Sequence, residues 1–435
     1  MQLSDLAGKR ICILGFGREG QAVLRALSRV SPKPEVTVAD KSSEAQAEGC
    51  TLQTGERYLE NLERFDVIVK SPGIPPNPEL RAVTEKITNA TQIFLDTVAA
   101  AGSTVIGVTG SKGKSTTSSL IAEILREAGR DVHLVGNIGV PALDFTNRAG
   151  PQTIFVHEMS SYQLMDMSSS PSIAVITSFF PEHLDYHGSL EAYREAKEHI
   201  VTAQRPVDTV VFCAASEGAA AIASKSPGRK VPYMENDAPV TLAATQLIGE
   251  HNLRNIAGAW TVCRILGVEE TAAVRAIKAF KGLPHRLQSL GVHGGIELID
   301  DAISTTPEST IAALDALGDR VATIILGGQD RGNDFTGLAE RMKETNIRTI
   351  ILFPGSGPRI REALNEAKID ATIIDSSSME EAIEIARSSK SNAQSPMPAA
   401  PVCLLSTASP SYNMFKNFEA KGDEFSRCVH ELFKK

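Results

Sequence analysis

The residues Val105-Ile106-Gly107-Val108-Thr109-Gly110-Ser111-Lys112-Gly113-Lys114-Ser115-Thr116 constrain this chain more than any other stretch. An apolar run gives way to a glycine-punctuated loop, and Gly113-Lys114-Ser115-Thr116 then opens a helical pattern. Such a strand–loop–helix turns backbone N–H groups and a helix N-terminus toward an anion. Lys114 is then placed for the outer phosphates of a nucleotide and the Ser115 hydroxyl for Mg²⁺. The loop is narrower than the general G-x-x-x-x-G-K-[ST] pattern, which asks for glycine at 108, where this chain has Val108 and carries its glycine at 110. A glycine-rich turn that merely precedes a helix is the plainer alternative.

The surrounding chain alternates short β-branched runs with helical periodicity, which predicts an α/β fold with mainly parallel sheets. Expected strands are 10–14, 35–39, 66–70, 104–108, 132–135, 153–156, 173–177, 209–213, 295–300, 321–326, 349–353, 371–374 and 402–405. At 435 residues the chain is too long for one core. Boundaries are expected near Thr91–Gly102 and at Lys281-Gly282-Leu283-Pro284, giving domains 1–92, 93–282 and 283–435. The Ser-, Ala-, Pro- and Asn-rich stretch 388–401 reads as a surface loop. A net charge of −8 argues against nucleic acid as the main partner. Six scattered cysteines without C-x-x-C spacing fit reduced thiols in a cytoplasmic protein. Neither a leader nor an 18-residue apolar stretch is visible, so no membrane insertion is expected.

Several strand ends carry chemistry-bearing residues. Gly15-Phe16-Gly17-Arg18-Glu19-Gly20 follows the first strand and matches G-x-G-x-x-G, and Asp40 stands where a ribose-binding acid would. Alone, this pair suggests an NAD-dependent oxidoreductase, although hydride transfer has no use for a second, lysine-bearing phosphate loop. Ser71-Pro72-Gly73-Ile74-Pro75 and Gly136-Asn137-Ile138-Gly139 read as turns or as ligand loops. Glu158 ends a strand beside the phosphate loop, where a Mg²⁺ contact is expected. His183, Asp185 and His187 alternate, which is weak evidence for zinc. By spacing alone Lys197 reads as a surface residue of an amphipathic helix, and Arg286 and Asp301 read as a hinge pair or as nucleotide contacts.

Taken in order, these segments resemble the Mur ligases of peptidoglycan synthesis. The resemblance rests on Thr109–Thr116, Gly136–Gly139, Glu158–Ser161, Glu182–Asp185, Tyr193–Lys197, Glu250-His251-Asn252 with Asn255, and Leu283–Arg286. The tail Met414–Phe425 resembles the glutamate-adding branch. The resemblance implies an N-terminal Rossmann-like UDP-binding domain, a central P-loop-type ATPase domain and a C-terminal Rossmann-like domain, in a monomer. It implies ATP-dependent amide formation between UDP-N-acetylmuramoyl-L-alanine and glutamate through an acyl-phosphate, with D-glutamate expected and L-glutamate the alternative.

The implied catalytic residues are Lys114, Glu158, His183 and Lys197. ATP would be held by Gly110, Ser111, Lys112, Gly113, Lys114, Ser115, Thr116, Asn252, Asn255, Arg286 and Asp301. Two Mg²⁺ ions would lie among Ser115, Glu158, His183 and Lys197, the lysine being carbamylated. The UDP-substrate falls to Gly17, Arg18, Asp40, Lys41, Ser71, Gly73, Asn137 and His183, and glutamate to Arg331, Ser411 and Phe418. The chain departs from the family pattern where Ala302-Ile303-Ser304-Thr305 replaces Ser-Lys-Ala-Thr after Asp301, and where Glu182 replaces an aspartate. Both departures touch the acceptor side rather than the ligase chemistry.

Overall fold

The computed structural model describes residues 1–138, 140–389 and 400–433. Gly139, the side chain of Asp185 and most of the loop expected at 388–401 lie outside the described residues. The chain divides into two compact units, one comprising Met1–Thr245 with His251–Phe280 and the other Gln246–Glu250 with Lys281–Lys435.

The first unit holds two wholly parallel sheets. Sheet one comprises β1 (Arg10–Leu14), β2 (Glu35–Asp40), β3 (Thr51–Thr54), β4 (Val67–Lys70) and β5 (Ile87–Thr88), in the order β3-β2-β1-β4-β5. Sheet two comprises β6 (Thr104–Thr109), β7 (Val132–Gly136), β8 (Ile154–Glu158), β9 (Ile173–Ile176), β10 (Thr209–Cys213) and β11 (Arg229–Tyr233), in the order β11-β10-β9-β6-β8-β7. The central strands are near-continuous apolar runs, as strands covered on both faces must be. Ile11, Ile13, Val38, Phe155 and Ala174 are fully buried in one shared core, and each such isoleucine, valine or phenylalanine side chain stabilises by about 1.5–3 kcal/mol. In-register pairing of Leu14 with Ala39 and Lys70, and of Val108 with Glu158 and Val175, brings the following loops to one carboxyl edge of each sheet.

The second unit holds sheet three: β12 (Gln288–His293), β13 (Ile296–Asp300), β14 (Val321–Leu326), β15 (Thr349–Leu352), β16 (Thr372–Asp375) and β17 (Val402–Leu405), in the order β12-β13-β17-β14-β15-β16. Among the described residues only the β12–β13 pair is antiparallel. No described helix is long and apolar enough to cross a membrane.

The stretch 91–102, read as a boundary, lies between the last strand of sheet one and the first of sheet two and is largely the helix Ala90–Ala100, whose Phe94 packs edge-on against Phe155 with ring centroids 5.1 Å apart. The four strands absent from the sequence reading, β3, β5, β11 and β12, are all sheet edges. Edge strands are short and half-solvated, so they lack the apolar run that marks a central strand.

Candidate functional site

The phosphate-type loop is braced from beneath before any ligand is considered. Gly110 has φ 153° and a Cβ there would fall 2.0 Å from Thr177 Oγ1; Gly113 has φ 87° and its Cβ would meet Asn255 Oδ1 at 2.5 Å. Both therefore need glycine, one for its close approach and the other for its left-handed backbone as well. Thr177 Oγ1 donates to Lys112 O (2.6 Å), and Ser178 Oγ accepts from Lys112 N (2.9 Å). Ser111 Oγ donates to Phe180 O (2.9 Å). Lys114 begins the helix Lys114–Glu127, and its Nζ donates back to Gly110 O (2.9 Å) and Ser111 O (2.8 Å). Buried Asn252 and Asn255 are joined at 2.8 Å beside the loop, and the exposed Lys112 pairs with Glu182 at 2.6 Å.

Around this loop sit two buried ionisable groups. Glu158, the last residue of β8, accepts from Asn137 Nδ2 through Oε1 (2.9 Å), while its buried Oε2 has no partner. Lys197 is not a surface residue: it is 1% exposed and its Nζ donates to Gly110 O at 2.9 Å. The spacing misled because the helix Leu190–Thr202 turns this polar position inward against the loop. Burial, followed by the charge of Lys114, drives the Lys197 amine well below the ordinary lysine range, against the opposing pull of Glu182 and Glu158. Its Nζ also lies 4.9 Å from the Tyr193 ring centroid. His183 has φ 56° and precedes the short helix Leu184–His187; its ring lies 5.1 Å from that of Tyr162. Thr177 and Ser178 received no role in the sequence because no motif marks them, and Tyr193 was read only as the start of the Tyr193–Lys197 motif.

At the edge of sheet one, Asp40 accepts from Phe16 N (2.6 Å) and Ser42 N (2.7 Å), while Ser71 Oγ donates to Gly15 O (2.8 Å). The ribose-type acid thus also shapes the glycine loop. Gly17, Arg18 and Lys41 are exposed on the same edge. A cavity of about 210 Å³ opens here, lined by Glu19, Pro72, Gly73, Asn137, Ser160, Tyr162, Gln163 and Tyr186. It joins loops of both sheets. Burial pushes the Glu19 carboxyl up, opposed by its 2.6 Å bond from Gln163 Nε2.

The second unit gathers its own candidates at the carboxyl edge of sheet three. Asp301 accepts from Leu287 N (3.2 Å) and Ser406 Oγ (2.8 Å), and burial raises its carboxyl to about 6. Arg286 Nε is buried without a partner, as is Ser411 Oγ. Gln329 N bonds Pro410 O (2.7 Å), drawing the Arg331 and Ser411 loops together, and the Arg331 guanidinium lies 5.5 Å from the Tyr412 ring centroid. Phe418 starts the final helix, its ring 6.3 Å from that of His285. Lys421, absent from the sequence reading, is 1% exposed, bonds Thr407 Oγ1 and is lowered by burial to about 8.

Residues 108–244 match the model of the Mur ligase middle domain, and residues 285–395 that of the Mur ligase glutamate ligase domain. The UDP-N-acetylmuramoyl-L-alanine–L-glutamate ligase of Salinispora tropica is 36% identical, with 99% of each chain covered. The chain belongs to the Mur ligase family. Another relative, the UDP-N-acetylmuramoylalanine–D-glutamate ligase of Streptococcus mutans, is 33% identical to this Mur ligase, again over 99% of each chain. The MurF ligase from Thermotoga maritima, solved in complex with ADP, shares the fold with a TM-score of 0.58, 17% identity and coverage of 98% of this chain and 99% of that one. Membership of the Mur ligases removes the oxidoreductase reading of Gly15–Gly20: that loop belongs to a ligase chain, not to a hydride-transfer enzyme.

Proposed function

We propose that this Mur ligase joins glutamate to UDP-N-acetylmuramoyl-L-alanine at the expense of ATP. The observation that carries the reading is the convergence of Lys114, the half-partnered Glu158 and the buried Lys197 amine on one glycine-bounded loop. The names of the full-length relatives supply the substrate pair. A division of labour follows: residues 1–92 for the UDP-substrate, 93–282 for ATP and 283–435 for glutamate and closure.

In this reading the alanyl carboxylate attacks the γ-phosphate of ATP, the bond to the β-phosphate breaks, ADP leaves and the carboxylate becomes an acyl-phosphate; the glutamate amine attacks that carbonyl, gives up a proton, and inorganic phosphate leaves. Lys114 neutralises the transferring phosphoryl group, so positioning and charge carry the rate rather than a protein nucleophile. The unpartnered Glu158 Oε2 and the Ser115 hydroxyl fit a hard divalent cation. Among the described residues no group of three or more His, Cys, Asp or Glu could hold a metal, so Mg²⁺ would take most of its oxygens from phosphate and water. It would supply charge neutralisation between the phosphates. His183 completes the proposed set. Carbon dioxide carbamylates the neutral form of a lysine amine, the form that burial favours at Lys197, and carbamylation would convert it into an anionic ligand. Asp40, Lys41, Ser71, Gly73 and Asn137 would serve the UDP-substrate, while Asn252, Asn255, Arg286 and Asp301 serve ATP. The unpartnered Ser411 Oγ and the Arg331 guanidinium suit an amino-acid carboxylate.

D-glutamate is the acceptor expected from the sequence. L-glutamate is favoured by a separate observation: three relatives at 34–36% identity carry L-glutamate in their names, and Ile303 stands where the family pattern has lysine. Phosphate release from ATP with UDP-N-acetylmuramoyl-L-alanine, run in parallel with D- and L-glutamate, tests the reading and decides the enantiomer. No release with either would overturn it.

A further inference from the structure

The loop Ser71–Pro75 is fastened to the second sheet by two side chains that have no part in the ligase roles above. Lys70 ends β4 and is buried to 2% side-chain exposure. Its Nζ lies 2.8 Å from Asp166 Oδ2, on the segment that follows β8, and donates to Ile74 O at 3.2 Å. A buried lysine is expensive unless a carboxylate compensates it, so its place here answers a need. The second fastening is Tyr186, whose hydroxyl lies 2.8 Å from Pro72 O and 2.9 Å from Ile74 O, one proton shared between two carbonyls. Tyr186 sits three residues after His183 on the same turn, and its ring packs edge-on against Tyr162 at 4.4 Å. Pro72, Gly73 and Tyr186 also line the 210 Å³ cavity.

We propose that Lys70 and Tyr186 are positioning residues that lock the loop Ser71–Pro75 in register with the His183 turn, so that seating the nucleotide-linked substrate and placing His183 are a single event. The proposal rests on the substrate reading above for its kinetic consequences and on geometry alone for the lock itself. When the Tyr186 hydroxyl goes, Pro72 O loses that donor and Ile74 O keeps only the longer bond from Lys70 Nζ, so the loop is then free to drift from the cavity wall. Misplacement by an ångström at a phosphoryl-transfer site is enough to slow chemistry.

The test uses the full chain and four variants: Tyr186→Phe, Lys70→Met, Lys70→Arg and Asp166→Asn. Tyr186→Phe removes one oxygen and keeps the ring packing. The expected result is a roughly tenfold rise in KM for UDP-N-acetylmuramoyl-L-alanine with a fall in kcat, while KM for ATP stays within twofold. Lys70→Met behaves alike and Lys70→Arg restores most of the loss. Melting temperature is measured alongside, because a merely structural contact lowers it without splitting the two KM values. That pattern overturns the proposal. Hydrogen exchange of the ligand-free protein reads the lock without any substrate: Tyr186→Phe speeds exchange at the amides of residues 71, 73 and 74 and of 183–187 together, and exchange unchanged from wild type at both overturns it. A wild-type chain that turns over neither glutamate enantiomer refutes the substrate reading and leaves the exchange result to judge the lock.

Discussion

Two glycine loops open at strand ends in the first unit, and they differ in what lies behind them. The Gly15–Gly20 loop is shaped by Asp40 and Ser71, small polar groups that hold backbone and leave exposed Arg18 and Lys41 at the rim. Behind the Gly110–Lys114 loop stand a buried lysine amine, a buried carboxylate with one open oxygen, and a second lysine folded back on the loop carbonyls. In the proposed reading the same strand–loop–helix frame serves holding in one case and group transfer in the other. The contrast proposed is that glycine spacing marks where a phosphate can sit, whereas the buried ionisable groups behind it mark where bonds change.

The largest expected effect tests that contrast directly. Lys114→Ala should lower kcat by about 10²–10³, the usual cost of losing a donor to developing charge, with binding of the UDP-substrate by calorimetry unchanged. Near-normal turnover would erase the distinction between the loops. Lys197→Ala should cost about 10–100-fold in activity, as losses around a metal do. Added short carboxylic acids should restore part of it, and intact-protein mass should show a carbon dioxide increment at Lys197 in the wild type; neither rescue nor increment would count against carbamylation.

Asp40→Ala should act on the other loop alone. It removes acceptors for two backbone N–H groups, costs about 1–3 kcal/mol of stability, and should raise KM for the UDP-substrate about tenfold with kcat held within twofold. A kcat loss equal to that of Lys114→Ala would show that the first loop also takes part in the chemistry.

The smallest effect is in pH dependence. His157, under Glu158, is held by burial at about 3 rather than 6.5, and both ring nitrogens lack partners. Its folded value is depressed, so its stabilising contribution is complete above about pH 6.5 and declines as pH falls toward about 3. His157→Phe should flatten the stability–pH curve over that window, read by chemical denaturation at several pH values. An unchanged slope would mean that the buried imidazole is hydrated in solution.

How much was legible follows from where each residue lies. The central strands and the Gly113–Thr116 helix start were readable because they obey local rules, apolar runs and glycine placement. The edge strands β3, β5, β11 and β12 were not, since half-solvated backbone pairing leaves little compositional trace. The helix Ala90–Ala100 was missed because neither a breaker nor a strong polar face distinguishes it. Gly17, Asp40, Lys114, Asn137 and Glu158 could be named from motif position. The burial of Lys197 could not, because one lysine in an amphipathic helix looks alike whether it faces water or a loop carbonyl. The contacts of Lys70, Tyr186 and Lys421 left no sequence signal, since their partners Asp166, Pro72 and Thr407 lie 14 to 114 positions away.

The sequence alone determined the parallel α/β class, the two glycine loops and the residues that could carry phosphate chemistry, because each depends on contacts within a few positions. Tertiary structure decided which of those residues are buried, which are half-satisfied and which are tied together. Desolvation and pairing across distant segments set those properties, and neither is encoded by spacing along the chain.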